Sequence, residues 1–204
     1  MNNKKYDSTN RRKKSMETKV KIFKTALKLF YQQGYENVTV EQITRHAGVA
    51  KGTFYIHYQS KEAIMSEQFQ KIDSFYEERY QAYQKDEKAT IQLKAFLMDV
   101  AVLTRDVLGL EGAKVVYKSH IGASVSAQFL VHEERPYFRI LNELISLGIK
   151  NKEFCSDMNQ KDILLLVTRG VRGTIFDWTV SQGSFDLVEA FDQYFDWVFK
   201  CFVR

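Results

Sequence analysis

Proline occurs once in this chain of 204 residues, at Pro136, and glycine only ten times. An all-β sandwich or barrel needs many more breakers to turn its strands, so long helices are the natural reading. The two cysteines, Cys155 and Cys201, are too few for a disulfide framework or a four-ligand zinc site. No apolar run approaches the roughly 18 residues of a membrane span. The N-terminus is basic and polar with no apolar stretch behind it, so a secretion signal is not expected either. Also missing are a Walker-type phosphate loop, an HExxH zinc motif, a CxxC pair and a G-x-S-x-G nucleophile turn. With only four scattered histidines besides, the chain is not read as an enzyme, and no catalytic residue, metal site or cofactor is expected. Apolar residues at 45% and charged residues at 27% exclude a disordered or fibrous chain. What remains is an all-α globular protein, expected in the cytoplasm.

The net charge of +5 is unevenly spread. Residues 1–60 hold 12 Lys and Arg against 4 Asp and Glu, whereas residues 61–204 hold 18 against 21. All the excess positive charge therefore lies in the first 60 residues, as expected of a surface that meets phosphates or anionic lipid. Residues 1–16 are charged and without apolar periodicity, and read as a basic flexible arm.

Helical periodicity begins at Glu17, where Ile22, Phe23, Ala26, Leu27 and Phe30 share one face, and stops at Gly34. Thr39 with Gln42 three residues on fits a capping box, placing a second helix from Val40 to the glycine at 48. A third short helix spans about Lys51 to His57, and Ser60 can cap a fourth that reaches Tyr83. Further helical patterns cover about 90–108, 110–122, 136–148 and 160–182, and a last one runs from a Ser184 cap to the C-terminus. That makes about nine helices, with Pro136 well placed in a first turn.

Two short helices separated by Gly48, behind a supporting helix, have the spacing of a helix-turn-helix. Residues 38–64 read VTVEQITRHAGVAKGTFYIHYQSKEAI, and this stretch resembles the N-terminal domain of the TetR family of bacterial transcriptional regulators, of the TetR/AcrR type. Residues in family-typical places run from about Ile22 to Met65 and include Ala26, Gly34, Thr39, Ile43, Gly48, Gly52, Tyr55, Tyr58 and Lys61. The resemblance implies a helix-turn-helix domain over residues 17–62 and a helical ligand-binding and dimerisation domain over 63–204. Ala50 departs from it, standing where the family usually has a serine able to cap the recognition helix.

At about 100° per residue, Phe54 and Tyr58 point together into the domain core. Gly52, Thr53 and Ile56 face away from it toward base edges, with Tyr55 and His57 flanking them toward phosphates. Ile56 suits a thymine methyl, and Gly52 lets backbone approach closely. The resemblance further implies that Thr39 holds a phosphate at a helix N-terminus, Arg45 enters the groove, and Lys51 and Lys61 grip the DNA backbone. The expected partner is double-stranded DNA with a palindromic operator, which places the protein at the nucleoid.

The last helix carries two apolar stripes displaced by one residue. One is Val188, Phe191, Phe195, Val198 and Phe202; the other is Leu187, Ala190, Tyr194, Trp197 and Cys201. An arc that wide is covered on two sides. The first stripe, with Val171 and Ile175 of the preceding helix, is assigned to a homodimer interface, and Gly170 and Gly173 permit close helix approach there. In the family, the middle helices surround an inducer pocket. Tyr117, His120, Phe138 and Trp178 are the expected contacts to a small lipophilic or aromatic effector, and Asp99, Asp106 and Asp177 are acids near apolar faces. The function expected is a ligand-responsive regulator, a repressor released by its effector, with the fourth helix as lever. The alternative is a DNA-bound structural or division factor that holds a protein partner; a cavity filled by side chains would favour it.

Overall fold

The computed structural model of the chain describes residues 3–83, 87–121, 130, 132–154 and 157–203. These form two compact units, residues 1–68 and 69–204. Helix α1 (Asn3–Gln33) ends at Gly34 in a positive-φ turn, followed by one tight turn at Tyr35–Asn37. Helices α2 (Val40–Ala47) and α3 (Lys51–His57) come next, and α4 (Lys61–Gln81) begins in the first unit and ends in the second.

The first unit is built on the apolar spacing read from the sequence. Ile22, Ala26 and Phe30 of α1, Ile43 and Ala47 of α2, Phe54 of α3 and Ile64 of α4 are fully buried. Thr39 closes both halves of the capping box: its hydroxyl accepts from the Gln42 amide at 3.2 Å, and the Gln42 side chain accepts from the Thr39 amide at 2.7 Å. Gly48 then takes φ 62°, ψ 40°, a left-handed conformation that costs glycine little, and returns its N–H to the Arg45 and Thr44 carbonyls.

Two expectations are corrected here. The basic arm is not separate from the first helix, since α1 extends back to Asn3. Residues 10–16 are exposed there. Their lysines, arginines and methionine are good helix formers with no glycine or proline among them, so helix propagates without burying an apolar face. The last helix, α9 (Leu187–Phe199), is capped by Asp186 and not Ser184; the Asp186 carboxylate accepts from the Val188 and Glu189 amides at 2.8 and 3.0 Å. It also stops short of the C-terminus. Val203 forms an antiparallel bridge with Phe154, and the Phe202 ring meets the Phe154 ring edge-on at 5.1 Å.

The remainder of the second unit is α5 (Ala89–Val102), α6 (Gly109–Ile121), α7 (Pro136–Lys150) and α8 (Gln160–Val180). α5 packs on α7 and α9, and α8 packs on α6, α7 and α9. Between α5 and α6 the helix widens into a π-turn, Leu103–Leu108, before Gly109 at φ 70°. The ragged stretch at 122–134 falls largely outside the described residues. Among the described residues no helix is long and apolar enough to cross a membrane.

Candidate nucleic-acid interface and effector cavity

Phe54 and Tyr58 are buried, at 0% and 4% exposure, and α3 packs on α2 with its opposite face outward. On that face Ile56 is 78% exposed and Tyr55 50%. A Cβ built on Gly52 would meet nothing within 4 Å. Glycine in a helix costs about 1 kcal/mol relative to alanine, and nothing within the unit requires it here. Thr53 and His57 are half-buried at the edges of the face, and Arg45, with no bonded side-chain partner among the described residues, is exposed on α2. Ala50 supplies no side-chain cap to α3; its carbonyl accepts from the Thr53 and Phe54 amides instead.

The lysines divide into two kinds. Lys51 is exposed and bonds Glu41 across the turn, and that bond holds the Glu41 carboxyl below the usual carboxylate range. Lys21 brings its ammonium beside Gly48, within 3.7 Å of a Cβ placed there. Lys61, expected to grip DNA, donates to the Tyr35 and Val38 carbonyls at 3.0 and 3.3 Å and lies over the Tyr35 ring at 4.3 Å. It ties α4 to the turn after α1, because its stem is long enough to reach both carbonyls, of which the Tyr35 one already accepts from the Val38 amide at 3.4 Å. Two further bonds support the same junction: Tyr35 Oη donates to Glu62 at 2.9 Å and Lys19 pairs with Glu67 at 2.8 Å. Burial and then the Glu62 hydrogen bond push the Tyr35 phenol up. His46 Nδ1 lies 2.8 Å from the Gln42 carbonyl on its own helix. Among the described residues no cluster of His, Cys, Asp and Glu has the makings of a metal site.

In the second unit a narrow, mainly aliphatic cavity opens among α4, α5, α6, α7 and α8. Its free volume is about 70 Å³, room for a few waters. Tyr117 lines it, as expected, and donates its hydroxyl to the Arg172 carbonyl at 2.7 Å. Phe138 and Trp178 do not line it. Phe138 is core, packed edge-on against Tyr137, and the Trp178 indole donates to the Phe185 carbonyl at 3.1 Å to close the turn at Gly183. The His120 side chain lies outside the described residues. Asp99 is not exposed: Arg79 and Tyr83 both bond it, the latter at 2.6 Å.

Sequence reasoning counted Tyr76 and Tyr137 only among the aromatics of the middle helices and missed Arg135 and Arg172; all four are on the cavity wall. Arg172 on α8 and Arg135, just before α7, read in the sequence as surface cations, and the fold brings both to the cavity wall. Arg135 makes a two-pronged bond to Asp73 of α4 at 2.8 and 3.2 Å, with its side chain 10% exposed. The Arg172 guanidinium has no carboxylate partner among the described residues.

The assigned dimer stripe is also corrected. Phe191 and Phe195 are 0% exposed within the single chain, Phe202 1%, Val171 4%, Val198 6% and Ile175 9%, so they are its own core, with Val188 half-buried. A displacement of one residue rotates a helix face by about 100°, and the sequence does not say which stripe faces inward. The outward side carries part of the other stripe, with Trp197 at 57% beside Phe176 at 44% on α8, whereas Leu187 of that stripe is fully buried. Gly170 is needed within the chain, because a Cβ there would lie 2.5 Å from the Tyr194 ring; one on Gly173 would meet nothing.

Residues 22–67 match the family of bacterial regulatory proteins, tetR family. That match covers the helix-turn-helix segment of this chain. Among curated relatives, the HTH-type transcriptional regulator YerO of Bacillus subtilis is 41% identical over 49 residues, 24% of this chain and 17% of YerO. The match to that relative therefore spans less than a fifth of its length. The fatty acid metabolism regulator protein of the same organism is 23% identical over 180 residues, covering 83% of this chain and 87% of the relative. Among solved structures, the transcriptional regulator FadR from Bacillus subtilis in complex with stearoyl-CoA superposes with a TM-score of 0.74 at 20% identity, over 88% of this chain and 96% of that one. The tetR fold thus extends past the helix-turn-helix to nearly the whole chain.

Proposed function

We propose that this chain is a tetR-family regulator, a ligand-responsive transcriptional repressor that binds a palindromic operator as a homodimer in the bacterial cytoplasm. The observation that carries this is the outward face of α3. Gly52 has no internal reason to be glycine, Ile56 is almost fully exposed, and cations, Lys51, Arg45 and Lys21, surround them. A helix of that kind fits a major groove: Thr53 and Ile56 read base edges, Thr39, Tyr55 and His57 meet phosphates, and Gly52 allows close approach.

The dimer is assigned to the outward face of α8 and α9, centred on Phe176, Gly173, Tyr194 and Trp197. Its two-fold symmetry calls for half-sites one helical turn, or a multiple, apart. The effector is assigned to the cavity, as a lipophilic molecule; the likeness to a FadR that binds stearoyl-CoA supports that class. Arg135 supplies a route for coupling. An effector that competes with Asp73 for this guanidinium loosens α4 in the second unit, and the same helix carries Lys61 and Glu62 in the first. By linkage, whatever factor the effector takes from DNA affinity, DNA takes from effector affinity. The reading as a structural factor without an effector is disfavoured by the Tyr76 and Tyr137 hydroxyls, which line a cavity and have no hydrogen-bond partner among the described residues.

The test is a footprint on the DNA upstream of the protein's own gene. The expected result is an inverted repeat protected in two adjacent major grooves. Protection of one half-site alone, or none, overturns the proposal.

A further inference from the structure

The chemistry of the cavity is more specific than lipophilicity. Its wall is largely aliphatic, with Ile72, Val100, Leu103, Val116 and Ile175, and the free space is narrow. Space for a few waters is less than a ten-carbon chain fills, so such a ligand enters as the wall widens. A polymethylene chain, the thinnest apolar group of any length, asks for the least widening. Two arginines, Arg135 and Arg172, also line this apolar surface. Arg135 is balanced by the Asp73 carboxylate, whereas Arg172 is half-buried and has no carboxylate beside it among the described residues. The cavity is thus one positive charge in excess. Tyr137 is 7% exposed, and its hydroxyl has no hydrogen-bond partner among the described residues. Burial pushes its phenol up, and the Arg135 guanidinium carbon lies 5.8 Å from its ring centroid. A hydroxyl that faces a cavity without a partner is free to donate to a bound acceptor.

Resting on the assignment of the cavity as the effector site, we propose that it takes a carboxylic acid with an unbranched apolar tail, the carboxylate inside, held by Arg172 and accepting from the Tyr137 hydroxyl. One excess charge matches a monoanion. A coenzyme A thioester has no free carboxylate at that end and carries several phosphate charges, for which the cavity has no further cations. The carboxylate is recognised here as a charge-assisted hydrogen-bond acceptor, and guanidinium offers it a planar fork.

The experiment is calorimetric titration of the full chain with decanoate, decan-1-ol and decanoyl-CoA, in wild type, Arg172→Gln and Arg172→Lys, alongside operator affinity in the presence of each. Decanoate is expected to bind wild type roughly tenfold or more tightly than decan-1-ol, as a charge-assisted bond supplies. Arg172→Gln should remove that preference while leaving decan-1-ol within about twofold, and Arg172→Lys should restore part of it. The thermal unfolding of each ligand-free variant checks that the fold survives. The inference is overturned if decan-1-ol binds as well as decanoate, if only decanoyl-CoA binds, if none binds, or if Arg172→Gln leaves decanoate unaffected. The effector assignment fails separately: decanoate binding through Arg172 with operator affinity unchanged keeps the carboxylate site and removes its regulatory role. Release of DNA by decanoyl-CoA alone keeps that role and removes the carboxylate.

Discussion

Helices α3 and α9 both turn apolar side chains outward, Ile56 on one and Trp197 on the other, in opposite electrostatic settings. Around α3 stand Lys51, Arg45 and Lys21, with Glu41 as the acid that pairs with Lys51. α9 itself exposes Glu189, Asp192 and Asp196, the two aspartates bridged by Lys94, while the groove at Trp197 holds Arg169 and Asp177. Exposed hydrophobicity alone does not name a partner. Set among cations it suits the methyl groups and phosphates of a duplex, and set among carboxylates it repels a duplex and suits a second copy of the chain. The proposed function accordingly gives α3 to the duplex and α9 to pairing.

The largest effect expected is from a charge placed on the inner stripe of α9. Phe195→Asp should abolish folding, since an unpaired carboxylate in a fully buried site costs well over 4 kcal/mol; circular dichroism should show no cooperative helical transition. By contrast, Trp197→Glu on the outer stripe should keep the helical signal and convert a dimer to monomer by light scattering. It should cost about 2 kcal/mol or more of association. A dimer that survives Trp197→Glu would move the interface elsewhere.

On α3 the effects are smaller and differ in kind. Thr53→Ala should relax base preference by roughly 1–3 kcal/mol at one position of each half-site, whereas Lys51→Ala should weaken all duplexes alike and reduce the salt slope by about one. Lys61→Ala should leave the slope nearly unchanged and lower the melting temperature, because its donors are already engaged by Tyr35 and Val38. Gly52→Ala should do two opposite things: stabilise the fold by about 0.5–1 kcal/mol and weaken operator binding. A Gly52→Ala protein that binds DNA as well as wild type would remove the close approach from the account.

The smallest effect is electrostatic. Burial alone raises the Glu62 carboxyl, but hydrogen bonds from Ser60, its own amide and Tyr35, with Lys61 nearby, hold it below the usual range. A depressed carboxylate adds stability that is fully present above its unfolded value and is lost as pH falls through the folded one. Acid melting curves should therefore steepen below the ordinary glutamate range near 4.3, and Glu62→Gln should flatten that limb. An identical acid limb in the variant would place the acid sensitivity in other carboxylates.

The same contrast explains what could be read from the sequence. α2 and α3 were legible residue by residue, because Thr39, Gln42 and Gly48 are local signals whose geometry needs no distant partner. The two stripes of α9 were visible but their order was not, since only tertiary packing against α5 and α8 decides which one is buried. Tyr117 came through as a cavity residue, yet Arg135 and Arg172 did not, because a cation on a helix carries no mark that its face turns inward. The extension of α1 to Asn3 was hidden for the opposite reason: an exposed helix of lysines and arginines has no apolar period to detect.

The account rests most directly on sequence-selective binding by the α3 face, and competition binding tests it most directly. The ligand-free protein is titrated onto its footprinted duplex against a scrambled duplex of equal length, across a salt series. The predicted result is a preference of 10³-fold or more, as for specific DNA-binding proteins generally, with a steep negative salt slope for both duplexes. Equal affinity for the two duplexes at every salt concentration would contradict it.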